Sequence, residues 1–390
     1  MKILQVISTP PFAWETGGCA RVAFGLSRGL ARIGHEVKIL TTDLYKSDAR
    51  WSSNGKLEII DGVEILRFKD VNHTIAWKKK IYISPGIINY LRKNITQFDI
   101  VHLHDLISIQ AIATSRYCEK FNKKYFLTTH GSIPWTQKNN LINRIYLNFF
   151  GKKILSRATK VLTLNETEAN ICHSMGIKKD NIEILPNGID LSEYSQIPKR
   201  GNLKGLMGID NKNKIILYLG RIHRSKGLSL LVEAAKIIFT DYDDFTIVFI
   251  GPDDGYGQDL RKKIDTLGLS GKVVFTGFLP ENEKYSALLD ADVFVTPLFT
   301  GFPITFIESL ICGTPILTTN EGDSLGWIDG NVGFVTEYTP EELAKGILKI
   351  LLNEELLYEF RKNAEYLVRN RFNWDRIAEE TERLYAKSLE

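Results

Sequence analysis

Residues 291–319, ADVFVTPLFTGFPITFIESLICGTPILTT, decide how this chain is wound. VFVTPL (293–298) is apolar and rich in valine, as a buried strand requires, and FTG (299–301) turns the chain. Pro303 suits the first turn of a helix over about 303–312, with Gly313 to end it before a second strand in TPILTT (314–319). That helix aims its N-terminal amides at whatever lies over the carboxyl end of the sheet, where anions are stabilised. Glu308 is the only charged side chain between Asp292 and Glu321. An unpartnered carboxylate in such a stretch costs several kcal/mol. Either it is a packing compromise at the edge of the apolar arc, or it accepts hydrogen bonds from a diol such as the hydroxyls of a ribose.

The same winding recurs on both sides. Upstream, KILQVIS (2–8), HEVKILTT (35–42), IVHLH (100–104), KYFLTTH (124–130) and KVLTLN (160–165) are strand-like. ARVAFGLSRGLARIG (20–34) between the first two has helical spacing and a glycine stop. The pattern restarts with KIILYLG (214–220), FTIVFIG (245–251) and KVVFTG (272–277), with the helical LSLLVEAAKIIF (228–239) among them. The expectation is two α/β units with largely parallel sheets. The Gly- and Pro-bearing LPNGIDLSEYSQIPKRGNLKG (185–205) supplies the linker. The expected division is a first Rossmann-like domain over 1–195, a second over 196–372 and a terminal helix over 373–390.

At 390 residues, 44% hydrophobic and 25% charged, the chain is long enough for two cores and too apolar for disorder. Cys19, Cys118, Cys172 and Cys312 are too scattered for a metal or disulfide framework, as expected of a cytoplasmic protein. MKILQVIST leads straight into PPFAWETGG, so it reads as a first strand rather than a leader or the roughly 20 apolar residues of a membrane span. Residues 1–200 hold 29 Lys and Arg against 17 Asp and Glu, and residues 201–390 hold 21 against 29, giving +12 and −8. Much of the excess lies between Glu119 and Glu166, where nine basic residues occur without an acid. Among them are Lys138, Arg144, Lys152, Lys153, Arg157 and Lys160, interleaved with Trp135, Tyr146, Phe149 and Phe150. This is either an ordinary solvated face or a surface for anionic lipid. No recognition motif for nucleic acid accompanies it.

In open parallel sheets ligands bind beyond the carboxyl ends of the strands. Thr16, Gly17 and Gly18 follow the first strand and open a helix, where paired glycines admit a phosphate or sugar to the backbone. His102, His104 and Asp105 end one strand and His130 another, and a lone histidine is more often structural than catalytic. His102-x-His104 lacks a third ligand at suitable spacing, so no metal site is expected. GRIHRSKG (220–227) puts Arg221 and Lys226 just after the first strand of the second unit. A guanidinium beside an ammonium suits a diphosphate, although exposed cations on a helix cap read the same way. DYDD (241–244) contains Asp-x-Asp but precedes its strand, at the wrong end of the sheet, and reads as a solvated loop. With diphosphate signals on adjacent loops, ribose is the favoured partner for Glu308.

These residues resemble the retaining glycosyltransferases of family 4, the glycosyl transferases group 1, with the GT-B fold. The resemblance runs from TGG through HG, LPNGID, GRxxxxKG and GFPxxFxESLxCGTPI to the terminal FNWDRIAEETERLY. It implies an α/β GT-B architecture, two Rossmann-like doubly wound domains facing each other across a cleft. A UDP- or GDP-linked sugar would be held mainly by the second domain, and a glycan or lipid-linked acceptor by the first. By motif, Arg221 and Lys226 would grip the diphosphate, Glu308 the ribose, and the backbone of Gly301, Phe302, Pro303, Ile304 and Thr305 the phosphates and sugar. His130 would lie near the anomeric centre. Gly17, Gly18, Asn187, Gly277 and Phe278 would complete the donor site. The terminal helix would brace the first domain.

One departure stands out. The family carries a second glutamate eight positions before Glu308, and here that position is Thr300. The sugar contact expected there falls to a hydroxyl, which can accept and donate one hydrogen bond each way. The resemblance implies a metal-independent hexosyltransferase of polysaccharide or glycolipid synthesis; the basic window between Glu119 and Glu166, if it is a lipid surface, would make a cytoplasmic enzyme peripheral on the cytoplasmic face of a membrane. A non-hydrolysing nucleotide-sugar epimerase, or a non-catalytic nucleotide-sugar-binding homologue, would share the fold.

Overall fold

The computed structural model describes all residues except 14–17, 53–54, 134–140, 195–199, 201 and 324; of 141–143, 193–194 and 202 only the backbone is described. The chain divides into two compact units, Met1–Asp190 with Phe372–Glu390, and Leu191–Arg371. The first junction thus falls five residues before the expected one at 195, and the second one residue before 372.

In the second unit a six-stranded sheet runs β11-β10-β9-β12-β13-β14, every neighbouring pair parallel. Its strands are β9 (Lys214–Leu219), β10 (Phe245–Ile250), β11 (Val273–Gly277), β12 (Val293–Thr296), β13 (Ile316–Thr319) and β14 (Gly333–Thr336). β10, β12 and β13 are buried along their whole length, which explains their unbroken apolar runs. The order reverses between β9 and β12, so the loops leaving these strands diverge and open a crevice at their carboxyl ends. The helix after β12 spans Ile304–Ile311 with Pro303 before it, and Gly313 takes φ +69° just past its end.

The first unit has eight strands in the order β3-β4-β2-β1-β5-β6-β7-β8. They are β1 (Lys2–Val6), β2 (Glu36–Thr42), β3 (Leu57–Ile60), β4 (Val63–Phe68), β5 (Ile100–His104), β6 (Tyr125–Thr128), β7 (Lys160–Thr163) and β8 (Ile182–Ile184). All pairs are parallel except β3 with β4, a hairpin at the sheet edge turned by Asp61 and Gly62, both at positive φ. The order reverses between β1 and β5. The first helix, Gly18–Arg32, packs on the terminal helix, Trp374–Leu389. Gly25 and Gly29 make that possible, because a Cβ on Gly25 would stand 2.2 Å from the Trp374 indole and one on Gly29 2.7 Å from the Trp374 carbonyl oxygen. Asp190, almost fully buried at the end of the loop after β8, accepts from Arg28 at 2.7 Å and Arg32 at 2.5 Å, both on the first helix. Arg32 also reaches Asp375 on the terminal helix. Among the described residues no helix is long and apolar enough to cross a membrane.

Candidate functional site

In the second unit Arg221 and Lys226 lie on the loop leaving β9 and residues 300–305 on the loop leaving β12, on the two sides of the β9/β12 crevice, while Gly277 and Phe278 stand apart at the end of β11. The 220–227 loop leaves β9 and lies against the loop leaving β12. A Cβ on Gly227, whose φ is +68°, would meet Pro297 at 3.1 Å and Leu298 at 3.3 Å. Only glycine allows that approach with that backbone. Arg221 is exposed and forms an ion pair with Asp254, so its guanidinium is engaged by a carboxylate that the motif did not predict. Lys226 ends the turn Arg224–Lys226. Its amine is half-buried, and among the described residues it makes no hydrogen bond or ion pair. Burial and the neighbouring Arg221 charge push its pKa below the usual lysine value. A cation so placed gains most from an arriving anion.

The helix Ile304–Ile311 presents its first turn at the same crevice. Phe302 is buried and tilted against Trp327 at 5.6 Å, while Pro303, Ile304 and Thr305 are half-buried and Thr300 is exposed. One of the expected backbone donors is already occupied, because the Gly301 amide donates to the buried Asp323 carboxylate. Asp323 follows β13, whose carboxyl end lies beside that of β12. Reading the loops of adjacent strands together would have found it. Gly277, at φ +72°, and Phe278, 78% exposed, close β11.

Glu308 is 2% exposed, and it is not a lone charge. Lys284 Nζ, from the helix Glu281–Asp290, donates to its Oε1 at 2.8 Å. The pairing accounts for a carboxylate in an apolar stretch without invoking a ligand. It also fixes the carboxylate in place. Nothing in the local sequence marked Lys284, which lies 24 residues upstream on a different helix.

In the first unit Gly17 lies outside the described residues, and Gly18 is exposed at the start of the first helix. Asn187 is buried in the loop after β8. His102 and His104 point to one side of β5, stacked with ring centroids 4.3 Å apart, and His130, two residues past β6, stacks on His104 at 5.1 Å. His104 Nδ1 lies 2.8 Å from His130 Nε2, and His104 Nε2 lies 2.7 Å from Gln5 Oε1 on β1. His102 bonds the Tyr385 hydroxyl at 2.6 Å and Thr128 at 2.7 Å. Desolvation pushes His102 and His130 down to about 3 and His104 well below its usual value, so all three are neutral near pH 7. Asp105, at φ +73°, is pushed up to about 6 by burial, opposed by a hydrogen bond from the Cys19 thiol. A neutral imidazole cluster can hydrogen-bond hydroxyl groups, but it is not a reservoir of protons at neutral pH.

Of the nine basic residues between Glu119 and Glu166, Arg157 pairs with Glu119 and Lys160 with Glu183, each at 2.7 Å. Trp135 and Lys138 lie outside the described residues. A π-turn, Leu147–Gly151, between the helices Leu141–Tyr146 and Lys152–Arg157 buries Leu147 and turns Phe149 outward, 65% exposed. Arg144, Ile145, Lys152 and Lys153 are exposed beside it.

Two Rossmann-type units of this winding, the second with cations and a helix N-terminus at its switch point, are the architecture of the GT-B fold. Residues 16–193 match the model of Glycosyltransferase Family 4, and residues 201–367 match that of Glycosyl transferases group 1. The chain belongs to this family of glycosyltransferases. It is 25% identical to an uncharacterized glycosyltransferase of Methanocaldococcus jannaschii, covering 100% of this chain and 99% of the relative. Its fold matches sucrose-phosphate synthase of Thermosynechococcus elongatus with a TM-score of 0.78 at 20% identity, over 99% of each chain. It also matches HepE of Anabaena, in complex with UDP and glucose, with a TM-score of 0.74 at 16% identity, over 99% of this chain and 100% of that one.

Proposed function

We propose that this glycosyltransferase is a retaining, metal-independent hexosyltransferase that moves a sugar from a UDP- or GDP-linked donor to a hydroxyl of a glycan or lipid-linked acceptor. The observation that carries the reading is Lys226, a half-buried amine that makes no hydrogen bond or ion pair among the described residues, on the loop leaving β9 with Arg221. A diphosphate there would draw Arg221 from Asp254 and meet both cations and the free amides of the first helical turn. Glu308, held by Lys284, faces the ribose diol. Thr300 offers its hydroxyl to the transferred sugar where the family resemblance implies a carboxylate.

The reaction needs no protein nucleophile. The bond from the anomeric carbon to the diphosphate breaks, and the acceptor oxygen bonds to that carbon from the vacated face. The acceptor proton passes to a phosphate oxygen. Arg221 and Lys226 stabilise the departing charge, an effect worth roughly 3 to 4 kcal/mol for such a donor when deleted.

A thermal-shift screen against UDP, GDP, ADP and their glucose conjugates tests the donor class. Ligand at 100 times its Kd stabilises by about 2.7 kcal/mol. Stabilisation by none of them, with no nucleotide released in the presence of acceptors, overturns the reading. The exposed Phe149 among Arg144, Lys152 and Lys153 suits an acceptor borne on an anionic membrane. Co-sedimentation with anionic but not zwitterionic liposomes is expected, weakened by the Lys152→Glu, Lys153→Glu pair. Efficient transfer to a small soluble acceptor without liposome binding would remove the membrane from the proposal.

A further inference from the structure

The hydrogen-bonded line Gln5–His104–His130 has a direction, and that direction determines what His130 offers to a ligand. Gln5 Oε1 faces His104 Nε2 at 2.7 Å, and a carbonyl oxygen only accepts. His104 therefore carries its proton on Nε2 and has a bare Nδ1. That lone pair, 2.8 Å from His130 Nε2, requires a proton there. His130 is thereby left with Nδ1 unprotonated, and among the described residues this nitrogen has no hydrogen-bond partner and is not among the fully buried unpaired atoms.

On the far side of the cluster Tyr385, from the terminal helix, can donate to His102 Nδ1 at 2.6 Å, and His102 Nε2–H to Thr128 at 2.7 Å.

We infer that Gln5 and His104 are positioning residues that lock His130 as its neutral Nε2–H tautomer and present Nδ1 as a hydrogen-bond acceptor, selecting a hydroxyl group of a bound sugar. The choice of sugar hydroxyl as ligand rests on the proposed function, whereas the tautomer does not. Turning the amide over would reverse every donor in the line and make His130 Nδ1 a donor instead.

Long-range proton–nitrogen NMR on 15N-histidine protein, with His130 assigned through a His130→Gln variant, distinguishes protonated from bare ring nitrogens. The expected result is a single Nε2–H tautomer for His130 in the wild-type chain. A single Nδ1–H tautomer, or an even mixture, overturns the inference. Gln5→Leu removes the acceptor and should yield mixed tautomers; Gln5→Glu, whose carboxylate only accepts, should restore the single form. Should Gln5→Leu fail to fold, the wild-type spectrum and Gln5→Glu still decide. With UDP-glucose as the donor probe, Gln5→Leu should lower kcat/KM about tenfold and Gln5→Glu should recover it. If the tautomer is as expected and no nucleotide sugar is turned over, the proposed function fails and the lock stands.

Discussion

At the carboxyl end of β5 the first unit collects three neutral imidazoles and a carboxyl that burial has weakened. At the carboxyl end of β9 the second unit leaves Arg221 exposed and Lys226 half-buried. The two sheets reverse their winding at equivalent places, so topology does not account for the contrast. Desolvation does. Where the crevice floor is buried, ionised groups lose their charge or find a partner; where it is open, cations persist and attract anions. The first site is therefore suited to uncharged hydroxyls and the second to a diphosphate. Removing a buried charge partner in the first unit should act mainly on stability, and removing a crevice cation in the second mainly on turnover.

The largest expected effect tests the first half of that statement. Asp190→Ala leaves the largely buried Arg28 and its neighbour Arg32 without their common acceptor, and should cost about 3 kcal/mol in urea unfolding. Nucleotide affinity of the folded fraction should be unchanged. Next, Lys226→Ala should reduce turnover on the order of a hundredfold, or about 2.7 kcal/mol, with the melting temperature held. Near-wild-type turnover would remove the diphosphate grip from this loop.

Glu308→Gln sits between the two behaviours. From sequence alone, removing a buried unpartnered charge should leave stability unchanged or raise it. The Lys284 pair reverses that sign: the substitution strands a mostly buried ammonium and should cost about 1 to 2 kcal/mol, with roughly tenfold weaker nucleotide binding by calorimetry. Unchanged binding would make Glu308 a structural partner of Lys284 and nothing more.

The remaining effect is one of pH. The three imidazoles are neutral in the fold but protonate near 6.5 when unfolded, so their contribution is full above about 6.5 and is lost as pH falls toward 3. Asp105 acts in the opposite sense. Its pKa of about 6 lies above the unfolded value near 4, so its contribution is full below about 4 and is lost as pH rises through 6. Asp105→Asn should then be the more stable form at pH 7, lose that advantage near pH 4, and show a steeper loss between. Urea midpoints at the two pH values measure it; parallel curves would mean that Asp105 titrates alike in the folded and unfolded chain.

Much of the winding was legible because buried parallel strands are nearly continuous apolar runs, as in FTIVFI and VFVT. β3 and β4 escaped the run-by-run reading, although Asp61-Gly62 between LEII and VEILRF is a hairpin signal. β14 is four residues long and only its first is buried, so it offers little to detect. Arg221, Lys226 and the helix after Pro303 stood out because each is local to one loop. Their partners Asp254, Lys284 and Asp323 did not, since sequence spacing says nothing about side chains brought together by separate elements. His104 and His130 could have been joined in advance, because β5 and β6 are adjacent parallel strands that end together. Tyr385 could not, standing 283 residues from His102.

The packing of Trp374 into the hollow left by Gly25 and Gly29 has a consequence for synthesis. The ribosome delivers Gly18–Arg32 early, but the helix that covers it emerges only after residues 191–371 have been made. Throughout elongation that glycine-lined face and the Gln5–His102 polar cluster lack their cover, so the amino-terminal unit waits, partly open, while the other can already close. The half that began first is therefore the last to be completed, and a nascent chain halted before Phe372 would expose apolar and polar surface that chaperones recognise.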